Sequence, residues 1–220
     1  MDGPLISVCI PTFNRANFLK ECLGSLVVQF NKNELIDKVE IVVLDNMSKD
    51  NTEGIVKEYA DRYKNIKYYK DTENRNIAGG QIEVGMLAKG SYIWFFSDDD
   101  KHSENALTTV IDLIENNKTD VLFCNTSTFN SEKIISKNNF KINKDVVLSS
   151  KKGLFSFISN HFYSRDFFFT FMSCYIVRRS LFENSMSLIG HYNSSLDLFP
   201  FHIPIYYTES DFTFTVVSDP

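Results

Sequence analysis

Residues 38–71 read KVEIVVLDNMSKDNTEGIVKEYADRYKNIKYYKD. The near-continuous Val/Ile/Leu run from Val39 to Leu44 predicts a strand covered on both faces, as in a parallel sheet. Ile55, Val56, Tyr59 and Tyr63 follow at helical spacing, so residues 48–63 predict a helix. NIKYYKD at 65–71 predicts the next strand. A strand, a crossover helix and a second strand of these lengths define a parallel βαβ unit, and the rest of the first half repeats it.

Working outward, LISVCIPTF (5–13) predicts a buried first strand, ended by Pro and turn residues. NRANFLKECLGSLVVQ (14–29) predicts a helix with Phe18, Leu19, Cys22, Leu23 and Leu26 on one face and Asn14 as N-cap. IAGGQIEVGMLAKG (77–90) predicts a helix entered through two glycines and left through Gly90. SYIWFFSDDD (91–100) predicts a fourth strand, with Trp94, Phe95 and Phe96 in the core. SENALTTVIDLIENN (103–117) predicts a fourth helix, and DVLFCNTSTF (120–129) a fifth strand. The implied class is α/β, a mostly parallel sheet with helices on both faces.

After about Asn130 the pattern is less regular. NSEKIISKNNFKINKD (130–145) reads as a surface excursion or hairpin, and KKGLFSFISNHFYS (151–164) as a short amphipathic helix. FFFTFMSCYIVRRSLF (167–182) reads as a strand running into a turn or helix, and IPIYYTESDFTFTVVSDP (203–220) as one or two closing strands. With no repeat and no linker, residues 1–220 are expected to form one domain.

The chain has 43% hydrophobic and 23% charged residues and a net charge of −5, which argues against a nucleic-acid partner. Cys9, Cys22, Cys124 and Cys174 form no CxxC pair and no zinc-finger spacing, so free thiols in a reducing cytoplasm are expected. The N-terminal residues have no signal-peptide pattern, and no apolar run reaches the roughly 18 residues of a membrane span. A cytoplasmic location, with peripheral membrane association at its inner face, is the corresponding expectation.

In an open parallel sheet, ligands bind beyond the carboxyl ends of the strands. The first four strands end in Pro11, Thr12, Phe13, Asn14 and Arg15; in Asp45, Asn46 and Ser48; in Asp71, Asn74, Arg75 and Asn76; and in Ser97, Asp98, Asp99 and Asp100. GxGxxG and GxxxxGK[ST] are absent, which disfavours a dinucleotide fold and a P-loop. DNMSKDNTEG fails as an EF-hand loop because Met47 and Lys49 stand where oxygen ligands belong. Three adjacent aspartates repel one another unless a cation or a cationic partner intervenes. Taken alone, they also suit a solvated helix N-terminus. Hard oxygen ligands suit Mg²⁺ or Mn²⁺, and Mg²⁺ commonly takes one or two carboxylates plus substrate phosphates.

ISVCIPTFNRANFLKECLGSLVVQ, VEIVVLDNMSKDNT and NIAGGQIEVGMLAKGSYIWFFSDDD, in this order, resemble the N-terminal half of a family 2 glycosyltransferase with the GT-A fold. The resemblance covers residues 5–115. It implies a metal-dependent transfer of sugar from a nucleotide diphosphate, UDP-linked, with inversion, to a glycan or lipid-linked acceptor in bacterial surface polysaccharide synthesis. It divides the chain into a nucleotide-sugar-binding half (1–128) and an acceptor-binding half (129–220), and family members often continue further.

Residue by residue, Pro11, Thr12, Phe13, Asn14 and Arg15 correspond to the segment that cradles the nucleotide, and Asp45 to the aspartate that binds the base. Asn46, Arg75, Gly79 and Gly80 fall on the donor side, and Asp98 lies near the ribose. Asp99 and Asp100 are the metal candidates. Ser97 stands where the common D-x-D-D form has its first aspartate, which leaves open which of the three meets the metal. The catalytic base of an inverting member is usually an acid in the second half, often in an E-D pair. No such pair stands out, and the candidates are Asp197, then His191, Glu209 and Asp211. Rival readings are a nucleotidylyltransferase and a non-catalytic sugar-nucleotide-binding module.

Overall fold

The computed structural model describes residues 3–30, 35–130, 133–137, 139–162, 171–189, 205 and 212–218. Strands β1 (Ile6–Thr12), β2 (Val39–Asp45), β3 (Ile66–Lys70) and β4 (Tyr92–Phe95) alternate with helices α1 (Ala16–Val27), α2 (Leu35–Lys38), α3 (Thr52–Ala60) and α4 (Asn76–Met86). Then come α5 (Ala106–Asn117), β5 (Val121–Cys124), β6 (Thr128–Asn130), β7 (Lys133–Ser136), β8 (Val146–Leu148) and α6 (Lys151–His161). A 3-10 turn (Met172–Cys174) leads into β9 (Tyr175–Arg178), α7 (Arg179–Ile189) and β10 (Phe214–Val217).

Eight strands form one sheet in the order β3-β2-β1-β4-β9-β5-β10-β8, while β6 and β7 make a separate antiparallel ribbon. The first four strands are all parallel, so their carboxyl ends share one edge, as expected. The sheet is mostly parallel, as expected, and mixed. β9 inserts antiparallel between β4 and β5, pairing Ile93 with Val177 on one side and Leu122 with Ile176 on the other. The reason lies in YIV at 175–177, an apolar segment that is covered on both faces and takes a central position.

Period-two alternation divides the core. Ile6, Val8 and Ile10 of β1, Ile41 and Val43 of β2, and Tyr92 and Trp94 of β4 face the layer made by α1, α3 and α5. Cys9, Val42, Leu44, Ile93 and Phe95 face the layer made by α4, α6 and α7. Trp94, Phe95 and Phe96 are core residues, and the four cysteines are buried free thiols. The fifth predicted strand is cut short: β5 ends at Cys124, and Thr128–Asn130 and Lys133–Ser136 form the ribbon that the polar excursion suggested. The two glycines do not precede α4 but sit in its first half, because the helix begins at Asn76.

Behind the sheet edge, Gly90 allows a close approach. A Cβ there would lie 2.6 Å from the Ser7 backbone nitrogen and 2.7 Å from the Ile6 carbonyl carbon. The Gly90 N–H donates to Ser7 Oγ at 2.7 Å, and Ser7 in turn donates to the buried Glu40. Gly90→Ala must displace backbone and is expected to cost about 1–3 kcal/mol of stability, read as a lower urea midpoint. An unchanged midpoint would contradict the close packing of the α4–β4 connection against β1.

Candidate active site

The strand order reverses between β1 and β4, which opens a crevice at their carboxyl ends. Each of the first three strand-to-helix turns passes through a left-handed residue: Asn14 (φ 55°), Met47 (φ 67°) and Asn76 (φ 58°). Asn tolerates that region, whereas Met does so rarely. Neighbouring turns hold one another in place. The Asn14 N–H donates to Ser48 Oγ at 2.8 Å, and the Asn14 amide oxygen accepts from the Lys49 N–H at 2.7 Å. Asp50 accepts from the Ala16 N–H at 2.9 Å and from Thr52 Oγ1 at 2.6 Å, so one carboxylate serves the starts of both α1 and α3. This corrects the expectation that Asn14 caps α1. The cap position is Arg15, which makes no side-chain cap, and the capping acceptor comes from the next turn.

The acidic triplet spans the crevice. Asp98, 3% exposed, accepts from Thr12 Oγ1 at 2.7 Å and faces Arg15 Nη1 at 3.1 Å. Asp99 pairs with Arg15 Nη2 at 2.6 Å and accepts from Ser97 Oγ at 2.5 Å. Asp100 accepts from Ser173 Oγ at 2.5 Å, and the Ser97 N–H donates to the same Ser173 oxygen at 2.9 Å. Asp98 and Asp99 thus share Arg15, each with a hydroxyl donor of its own, while Asp100 turns to Ser173. Burial raises the Asp98 and Asp100 carboxyls above the usual carboxylate range. Burial also acts on Asp99, but the Ser97 hydrogen bond and the Arg15 guanidinium outweigh it and hold Asp99 low. Asp99 is thus the member held most firmly as an anion.

Asp45 is fully buried at the end of β2, and its register partner on β1 is Thr12. Its two oxygens accept from the Ser48 N–H at 2.6 Å and from Tyr68 Oη at 2.7 Å. Burial, then this bond to a carboxylate, raises the Tyr68 hydroxyl. Each Asp45 oxygen retains a second acceptor direction. Asn46 joins the third turn: its amide oxygen accepts from the Arg75 N–H at 2.9 Å and its nitrogen donates to Asn74 at 3.1 Å. The Arg75 side chain turns to Asp71 at 2.9 Å. Gly80 packs over Pro11, with a Cβ position 3.8 Å from the Pro11 ring, and Gly79 lies one residue before it in α4. Phe13 is exposed at the crevice mouth.

Thr12, Arg15, Asp98 and Asp99 thus share direct bonds, and Asp45 lies beside Thr12. Asn46 and Arg75 belong to the adjoining turn. Asp197, His191, Glu209 and Asp211 lie outside the described residues. Neither Ser173 nor Asp50 carries a signal in the sequence. Ser173 is 73 residues from the carboxylate it clamps, and only the chain reversal into β9 brings it there.

Among the described residues, no three His, Cys, Asp or Glu side chains gather into a metal cage. The donor set is nevertheless all oxygen, and Asp99 is partly open to solvent. These residues fit a hard divalent ion that completes its shell with diphosphate oxygens. Beyond Asp99 and Asp100 opens a cleft of about 760 Å³. Asn125, Thr126, Asn139 and Lys137 line it, with Phe129 and Phe171 as aromatic walls. His102 lies at its base, stacked on Phe96 with centroids 3.8 Å apart. Burial drives its pKa down to about 3, so it is a neutral packing group.

Comparison with known proteins gives the family and the fold. Residues 7–185 match Glycosyl transferase family 2, and the chain belongs to that family. It is 31% identical over 153 residues to the poly(ribitol-phosphate) beta-glucosyltransferase of Bacillus spizizenii, covering 69% of this chain and 24% of that protein. The structure of S. aureus TarS residues 1–349 superposes with a TM-score of 0.73 at 21% identity, over 98% of this chain and 58% of TarS. TarS has also been solved with UDP-GlcNAc. The mannosyltransferase PcManGT from Pyrobaculum calidifontis, solved with GDP-Man and Mn²⁺, gives a TM-score of 0.62 at 15% identity, over 99% of this chain and 55% of that one. The fold is the GT-A architecture of these transferases. The chain spans about a third of the length of the curated relatives it matches.

Thr12→Val tests the site's central bond. It keeps side-chain volume but takes the hydroxyl donor from a buried carboxylate and leaves it to Arg15 alone, at an expected cost of about 1–3 kcal/mol. The Asp98 pKa is already raised, so ionising it costs stability as pH rises through that value. Losing the Thr12 donor raises it further, so the penalty should grow from acid toward neutral pH in chemical denaturation. A penalty that is absent, or largest in acid, would contradict the geometry.

Proposed function

We propose that the chain binds a nucleotide-diphosphate sugar, UDP-linked, in the β1–β4 crevice and transfers its sugar to a hydroxyl of an acceptor lying in the adjoining cleft. The observation that carries this reading is the union of Thr12, Arg15, Asp98 and Asp99 at the point where strand order reverses. A sugar nucleotide has a base, a ribose and a pyrophosphate to place. The Asp45–Tyr68 end of the crevice takes the base through a carboxylate acceptor. The Asp98 end takes the ribose. Phe13, with its ring exposed, supplies an apolar wall, and Asn46, Gly79 and Gly80 close the donor side.

Asp99 and Asp100 would hold Mg²⁺ or Mn²⁺. When bound, that ion supplies positive charge to the departing diphosphate. Arg15 is a second source of charge at the same point, and its guanidinium can turn from Asp99 to a phosphate oxygen. The buried floor of Thr12, Asp98 and Ser173 fixes the direction of these groups before substrate arrives, which is how electrostatic stabilisation avoids reorganisation. The transition state resembles an oxocarbenium ion, as in glycoside hydrolysis. With inversion, a base removes the acceptor proton, and Asp197 is the first candidate and His191 the second. The acceptor is a surface glycan or lipid-linked oligosaccharide. The Bacillus relative, named for transfer to poly(ribitol-phosphate), supports a surface polymer.

Two variants test the assignment. Asp99→Ala should abolish Mn²⁺-supported UDP binding in calorimetry while leaving the thermal midpoint within a few degrees. Undiminished metal-dependent affinity would remove Asp99 from the site. Asp197→Asn should keep UDP binding and slow transfer by about a hundredfold or more, as loss of a general base does. Full transfer would clear Asp197. Nucleoside diphosphate release from a panel of sugar nucleotides, with and without Mn²⁺, separates a transferase from a module that binds without turnover.

A further inference from the structure

The ribbon β6–β7 stands apart from the main sheet, and all seven of its strand residues are exposed. Two-stranded ribbons are marginal in water. This one carries Ile134 at 57% exposure, Ile135 at 66% and Phe129 at the edge of exposure. Phe129 and Ile134 are register partners and face the cleft. Ile135 is the extra residue of a bulge, since Phe129 pairs with Ile134 and Thr128 with Ser136, and it is not among the residues lining the cleft. The ribbon therefore exposes apolar side chains both at the cleft and away from it. A molecule held in the cleft would cover the first and leave the second bare, whereas a lipid surface reaches both.

The charges point the same way. Lys133 and Lys137 bracket the apolar pair, which is the arrangement of an interfacial anchor with a buried body and cationic ends. From Glu132 to Lys152 the sequence has six lysines and two acids, in a chain of net charge −5. Lys141 and Lys144 are exposed on the segment that returns from the ribbon. Asn139, at the start of that segment, ties it to β6 by donating to Thr128 Oγ1 at 3.0 Å. An overall acidic protein is repelled by an anionic bilayer, so attraction has to be local. We propose that the β6–β7 ribbon and its flanking lysines dock this protein on an anionic lipid surface, with the cleft mouth held at the headgroup level. This goes beyond the donor-site reading and does not depend on it.

The test is co-sedimentation of the full chain with phosphatidylglycerol-containing vesicles and with pure phosphatidylcholine vesicles. Binding is expected to the anionic vesicles only and to weaken in high salt. Replacement of Lys133, Lys141 and Lys144 by Gln should reduce the partition coefficient by about fivefold per lysine. Ile135→Ser should reduce it while leaving the circular dichroism spectrum unchanged. Absence of vesicle binding, equal binding to phosphatidylcholine, or variants that bind like the parent would each overturn the proposal. So would concentration-dependent self-association that Ile135→Ser abolishes in the absence of lipid. UDP affinity, measured on the same samples, reports the donor site separately. Its loss with vesicle binding intact would count against the crevice assignment alone.

Discussion

Three neighbouring carboxylates at the end of a buried strand set the terms for everything around them. Left alone they would repel, and one or more would take up a proton. The fold separates them instead. Asp98 is drawn into the sheet edge by Thr12 and Arg15, Asp99 is held outward by Arg15 and Ser97, and Asp100 is pulled aside by Ser173. Arg15 is the internal counter-charge. It neutralises only part of the triplet and does so from a partly exposed position. The net acidic remainder is what the proposed divalent ion would offset.

This arrangement depends on topology more than on local sequence. Thr12 and Asp98 meet because β1 and β4 are adjacent parallel strands, so their ends coincide. Ser173 meets Asp100 because β9 runs back between β4 and β5, bringing the turn before it to the acidic loop. The loops after β1 and β2 are tied to each other through Asn14, Ser48 and Asp50 rather than each being capped from within. The crevice is thereby built from mutually braced turns, two of them entered through left-handed residues at Asn14 and Met47. Such strain persists where the surroundings over-determine it.

Much of the first half was legible in the sequence because its signals are local. The apolar run at 39–44 and the helical stripes at 19–26 and 107–114 specify elements on their own. The common edge then follows from parallel order. Thr12, Asp45 and the aspartates could be named as candidates because each falls at or just beyond the carboxyl end of a strand. What escaped was non-local. Nothing in YIV at 175–177 says that it enters the sheet centre antiparallel, and VVL at 146–148 gives too short a signal to predict β8. Arg15 and Arg75 looked alike in the sequence, yet one faces the acidic triplet and the other Asp71. That difference arises from which loops are neighbours in space.

The most direct measurement is a crystal structure of this chain soaked with UDP and Mn²⁺. The account predicts the uracil ring beside Asp45, the pyrophosphate over the acidic loop, and the ion on Asp99 or Asp100, with Arg15 swung toward phosphate. A nucleotide bound elsewhere, or an acidic loop left in its Arg15-paired state with no ion, would contradict it.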